Sequence, residues 1–160
     1  MCGMKGNKKV LEQLNRALRE ELTAISQYFV HAEMDDDWGY ERLSKSMKKI
    51  SIEEMKHAKA LIERILFLDG SPQMELLALT IGKNVKEALA FDLKLEHDAV
   101  VLYNEAARIA TENGDHGSRD LFVKVLREEE KHVDWLEAQL FEIDEMGYER
   151  YLSTQNSEEK

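Results

Sequence analysis

The sequence predicts an all-α fold: four long helices in a bundle, one long crossover between the second and third, and a short fifth helix at the C-terminus. Three observations carry this. Ala, Glu, Lys, Leu and Arg make 77 of the 160 residues, the near-half share expected of long helices. One proline, Pro72, and eight glycines are too few for the turns of an all-β sandwich. Breaks in the apolar periodicity also divide the chain into four long segments, and the length as a whole (1–160) reads as a single domain.

The first helix is expected over about 7–34, ending at Asp35-Asp36-Asp37-Trp38-Gly39. The second spans about 40–69 and stops at Gly70-Ser71-Pro72. The third, about 84–113, opens with Asn84 and Glu87 three residues later as a capping pair. The fourth covers about 118–146 after Asn113-Gly114-Asp115-His116-Gly117, and a short helix follows over about 148–155. Gly70, Gly114 and Gly147 can supply the left-handed residue beyond a helix end. Short first and third connections make antiparallel hairpins. The connection from Ser71 to Lys83, extended at ~3.3 Å per residue, reaches about 43 Å, roughly the length of the bundle. It returns the chain to its starting end and leaves the second and third helices parallel, which is the connectivity of ferritin-like folds.

Each helix has an apolar stripe interrupted at its middle. The stripes are Leu11, Leu14, Leu18, Glu21, Ile25, Tyr28, Ala32; Leu43, Met47, Ile50, Glu54, His57, Leu61, Ile65, Leu68; Leu89, Leu93, Glu96, Val100, Tyr103, Ala107, Ala110; and Phe122, Val125, Glu129, His132, Leu136, Leu140. Buried carboxylates cost several kcal/mol unless paired or bound to a metal. Glu21 to Glu54 is 33 residues and Glu96 to Glu129 is also 33, and both second members begin a Glu-x-x-His pair. The midpoints fall at the first and third turns, so all six side chains meet at one level of the bundle. Two histidines and four carboxylates suit iron, manganese or zinc, and two divalent ions balance four negative charges.

Net charge −10 disfavours nucleic acid and favours cations as partners. The only cysteine, Cys2, excludes an intrachain disulfide and multi-cysteine metal sites. No apolar run approaches the ~20 residues of a membrane helix, and Met1-Cys2-Gly3-Met4-Lys5-Gly6 holds no signal-peptide core, so a soluble cytoplasmic protein without membrane partners is expected.

The stretches Glu21-Leu22-Thr23-Ala24-Ile25-Ser26-Gln27-Tyr28-Phe29, Glu54-Met55-Lys56-His57-Ala58 and Glu129-Glu130-Lys131-His132-Val133-Asp134-Trp135-Leu136-Glu137 resemble the bacterioferritins. So do Ile62-Glu63-Arg64-Ile65-Leu66-Phe67-Leu68 and Met146-Gly147 followed by Tyr151-Leu152. The resemblance covers almost the whole chain. It implies a haem-containing iron-storage cage, a homo-oligomer of two-fold dimers assembled into 24 subunits. A di-iron ferroxidase centre in each subunit would oxidise Fe(II) to Fe(III) with O2 or peroxide and deposit it as mineral. By motif position the ligands are Glu21, Glu54, His57, Glu96, Glu129 and His132, with Glu54 and Glu129 bridging. Tyr28 matches a tyrosine that supplies an electron, and an ordinary core aromatic is an equal reading of it.

Met55 lies about 100° around its helix from Glu54 and heads a second apolar stripe with Ile52, Ile62 and Leu66, while Leu22 and Phe29 also lie off the first helix's seam. The resemblance implies that Met55, with its copy in a partner subunit, ligates haem b or a related porphyrin. It also implies a ferredoxin-type reductant. One departure stands out: an inner-surface iron site of well-known members uses a histidine and an acid where this chain has Lys49 and Glu53, and lysine is a poor iron ligand. His31, His97 and His116 read as solvated. Two alternatives share the bundle: a di-metal oxidoreductase (peroxidase or catalase-like) that stores no mineral, and a haem-binding interaction module whose carboxylates only rigidify a core.

Overall fold

Asn7 opens the first helix, its side chain accepting from the backbone N–H groups of Lys9 and Val10. The computed structural model describes residues 4–156, so Cys2 lies outside the described residues. Within them run α1 (Lys8–Asp37), α2 (Glu41–Phe67), α3 (Val85–Glu112), α4 (His116–Met146) and the short α5 (Tyr148–Ser153), with no strand among the described residues. The four-helix bundle with a long crossover is therefore as expected, and the differences are at the ends. The first helix continues through Asp35 to Asp37 because Asp35 is fully buried on the inward face. The fourth begins two residues early because Asp115 caps it, accepting from the Ser118 backbone N–H at 2.9 Å. After α2 the left-handed residue is Asp69 (φ 60°), not Gly70, whereas Gly114 (φ 69°) does close α3. Asn84 caps α3 by accepting from the Glu87 N–H at 2.9 Å.

Terminal hydrogen bonds fix the directions of the helices. Gly6 donates to the Leu68 carbonyl, placing the start of α1 beside the end of α2. Asn7 donates to Asn113, so α1 also begins where α3 ends. α2 and α3 therefore run parallel, joined by the extended crossover of residues 68–84. Four α1 side chains hold that crossover. Asn15 donates to the Ser71 carbonyl and accepts from the Gln73 N–H, Thr23 accepts from Leu77, Gln27 from Thr80, and His31 from Gly82. Gly82 must be glycine, because a Cβ there would lie 2.3 Å from the Ala88 nitrogen.

His31 is not solvated, contrary to the sequence reading. It is fully buried: Nδ1 meets the Asp92 carboxylate at 2.8 Å and Nε2 faces the Gly82 N–H at 3.0 Å. An N–H points at Nε2, so Nε2 is the acceptor and Nδ1 carries the proton. The apolar core forms two clusters, one around Leu14, Leu18, Leu61, Ile65 and Phe122, the other around Tyr28, Met47, Ile50, Leu89, Leu136 and Tyr151. The polar level of the bundle lies between them.

Candidate metal centre

Glu21, Glu54, Glu96 and Glu129 are each 1% exposed, His57 is 9% and His132 5%. Each helix delivers its ligands from the middle of its inward face, where the 3.6-residue period aligns Glu with the His three positions on. His57 Nδ1 lies 2.9 Å from Glu129 Oε1, 3.4 Å from Glu54 Oε1 and 3.5 Å from Glu21 Oε2. His132 Nδ1 lies 3.1 Å from Glu54 Oε1 and 3.3 Å from Glu96 Oε1. Two groups of ligand atoms result: Glu21, Glu54, His57, Glu129 and Glu54, Glu96, Glu129, His132. Glu54 and Glu129 belong to both.

The donor set fits two cations. Glu21 Oε2, Glu54 Oε1, Glu96 Oε2, Glu129 Oε1 and both Nδ1 atoms are buried with no hydrogen-bond partner. Orphaned polar atoms of this kind are rare in folded proteins, and among the described residues each belongs to the same six side chains or to Asp35 and Ser44. The carboxylates also crowd one another electrostatically. Burial, then the charge of Glu54, drives the Glu21 carboxyl well above its usual range. Burial and the charges of Glu21, Glu54 and Glu96 do the same to Glu129. Burial opposes charge on the imidazoles, yet the facing carboxylates outweigh it and hold His57 up to about 10 and His132 to about 11. A cation in each group would take the place of those protons.

Two phenols flank the carboxylates. Tyr28 donates to Glu96 Oε1 at 2.6 Å, and Tyr103 donates to Glu21 Oε1. Burial, then the neighbouring carboxylates, pushes both phenols well above their usual range, so both stay protonated. Glu53 accepts from His132 Nε2 at 2.8 Å, which leaves the Nδ1 lone pair for the centre. The side of the site facing α2 and α4 opens to two surface clefts that share Glu53 and Glu128.

Comparison with known proteins agrees with this architecture. Residues 11–146 match the family model of the ferritin-like domain. The chain is 48% identical over 149 residues to a bacterioferritin of Brucella melitensis biotype 1, covering 92% of each. It is 49% identical over 145 residues to a bacterioferritin of Rhodobacter capsulatus, covering 90% of each, and 42% identical over 156 residues to a bacterial ferritin of Synechocystis, covering 96% of this chain and all of the relative. The chain belongs to the bacterioferritin family.

For a bacterioferritin, the surface features are as informative as the centre. Met55 is 54% exposed, with Ile52, Leu66 and Phe29 also more than half exposed, so a thioether and apolar neighbours face outward from the α1–α2 hairpin. Leu22 and Ile62, also off the seams, are partly buried against the core. Lys49 Nζ pairs with Glu53 Oε1 at 3.8 Å, so the position at which the sequence reading noted a departure from the family carries a cation. His97 is exposed beside Glu137, and His116 is exposed at the start of α4. Sequence reasoning missed Tyr103 as a neighbour of the centre and Glu53 as the anchor of His132. Tyr103 stands 75 residues after Tyr28, and the same interval separates Glu21 from Glu96, Glu54 from Glu129 and His57 from His132. That repeat could have found it.

Proposed function

We propose that this bacterioferritin is a ferroxidase that stores and detoxifies iron. The observation that carries the reading is the pair of overlapping groups, four carboxylates and two imidazoles whose inward atoms face one another without a hydrogen-bond partner. Two Fe(II) ions would be held by Glu21, Glu54, His57, Glu129 and by Glu54, Glu96, Glu129, His132, with Glu54 and Glu129 as bridging ligands. Bound there, iron supplies the redox chemistry with O2 or H2O2. The protein's own share is geometry and charge. It holds the two ions within bridging distance, excludes bulk water with the flanking apolar clusters, and takes up or releases protons at its carboxylates. Tyr28, donating to Glu96, would give up an electron with its proton. Glu53 and Glu128 at the clefts would draw Fe(II) towards the imidazoles.

Fe(III) then leaves the centre for a mineral core, enclosed by a cytoplasmic cage of 24 copies built from two-fold dimers. Met55 would ligate a b-type haem together with its copy across the two-fold axis, and the exposed apolar residues beside it would cover the porphyrin. A ferredoxin-type reductant fits the release of stored iron.

The test is an anaerobic Fe(II) titration of metal-free protein, followed by O2 and stopped-flow absorbance of the ferric product. A fast phase saturating at two irons per subunit, then slow mineral growth, is expected. A fast phase without mineral growth would make the protein a peroxidase- or catalase-like di-metal oxidoreductase instead. No fast phase would leave the carboxylates a structural role only.

A further inference from the structure

The internal repeat extends beyond the metal ligands. Glu21, Tyr28, Glu54 and His57 recur 75 residues later as Glu96, Tyr103, Glu129 and His132. The two tyrosines are exchanged across the centre: the phenol of α1 donates to the carboxylate of α3, and the phenol of α3 donates to the carboxylate of α1. Both rings are fully buried. Each metal position is therefore served by one terminal carboxylate that is itself held by a phenol from the other hairpin.

The electron count gives this symmetry a chemical meaning. Reducing O2 to two waters takes four electrons and four protons, and two Fe(II) ions supply two electrons. A phenol buried in low dielectric cannot lose an electron and remain a cation, so its proton must leave at the same time, and a hydrogen-bonded carboxylate is the acceptor. Tyr28 and Tyr103 both meet that condition.

We propose that Tyr103 is a second redox-active tyrosine, equivalent to Tyr28, so that two Fe(II) and two phenols together reduce one O2 to two waters without releasing H2O2. The inference rests on the ferroxidase reading above. In the balanced step, each Fe(II) becomes Fe(III), and each phenol loses one electron and its O–H proton. The O–O bond breaks and four O–H bonds form. Two of their protons come from the phenols by way of Glu96 and Glu21, and two come from solvent. Two further Fe(II) then return an electron each to the tyrosyl radicals, which regain their protons, so the full cycle uses four Fe(II) per O2.

The experiment compares wild type with Tyr28→Phe, Tyr103→Phe and the double variant. Each is loaded anaerobically with two Fe(II) per subunit and mixed with O2. Radicals are read by freeze-quench electron paramagnetic resonance with ring-deuterated tyrosine, and peroxide by a trapping assay. Phenylalanine keeps the ring that packs 6.2 Å from Phe122, so the fold is retained. Each single variant, one electron short of water, should show at most half the wild-type radical and release H2O2, and the double variant should show no radical, with two Fe(II) reducing each O2 consumed to one H2O2. Full radical yield and no peroxide in Tyr103→Phe would overturn the proposal. So would slower oxidation with an unchanged radical yield, which would make Tyr103 only a holder of Glu21. Absence of a fast phase in wild type would instead refute the ferroxidase reading itself.

Discussion

Asp35→Asn should stabilise the protein at neutral and alkaline pH and lose that advantage in acid. Asp35 is fully buried in the last turn of α1, with neither carboxyl oxygen hydrogen-bonded. Burial, then the charge of Asp92, raises its pKa from 3.8 to about 8. The folded protein thus keeps a proton that the unfolded chain sheds above pH 3.8, so the native state binds more protons and stability falls as pH rises. At 1.36 kcal/mol per pH unit, the loss by pH 7 is ~4 kcal/mol, and it levels off near pH 8. Asparagine cannot ionise and escapes this slope. Its own buried amide costs ~1–3 kcal/mol, but that cost is constant with pH. The assay is guanidinium unfolding of both proteins from pH 4 to pH 9. The carboxylates and imidazoles of the metal centre are common to both proteins, so the difference between the curves reports Asp35 and its coupling to Asp92. The difference should grow by ~5 kcal/mol between pH 4 and pH 8 and change little beyond pH 9. Parallel curves across that range would refute the reasoning.

Other expectations follow from the same contacts. Glu129→Ala removes a ligand common to both groups and should abolish the fast oxidation phase while size-exclusion chromatography still shows the assembled oligomer. Met55→Ala should lose the haem absorbance with the fast phase intact, because its exposed side chain faces away from the centre. Gly82→Ala should lower stability by ~2 kcal/mol or more, read from the unfolding midpoint, because its Cβ would press on the Ala88 backbone. Zn(II) added to metal-free protein should raise the melting temperature, and the rise should shrink in acid as the ligand carboxylates and imidazoles hold protons in competition with it.

The helices were legible because their signals are local: periodic Leu, Ile and Ala, cap residues, and few turn formers. The six-residue centre was legible because two intervals of 33 residues place polar groups at one height in otherwise apolar stripes. What escaped is non-local. Asp35-Asp36-Asp37 looks like a turn, since nothing in three consecutive acids shows that the first is buried near Asp92 of α3 and Tyr151 of α5. His31 looks solvated because its partners, Asp92 and the Gly82 N–H, are more than 50 residues away. Asp69 rather than Gly70 adopts the left-handed conformation because Gly70 packs under Leu11, where a Cβ would come within 2.6 Å of its side chain. The polar rungs Asn15, Thr23, Gln27 and His31 recur at multiples of four, yet on the sequence alone they pass for a wet helix face.

The sharing of ligands between hairpins has a mechanical result. One metal position draws three ligands from α1 and α2 and its fourth, Glu129, from α4; the other reverses the proportion, with Glu54 from α2. Neither hairpin supplies a whole group alone, so an ion held in either group would act as a cross-link riveting one half of the molecule to the other. Loading the centre would tighten the seam between the hairpins, and discharging it would slacken that seam. A ferroxidase cycle at this centre would then clamp and loosen the middle of the bundle, between the apolar clusters on either side.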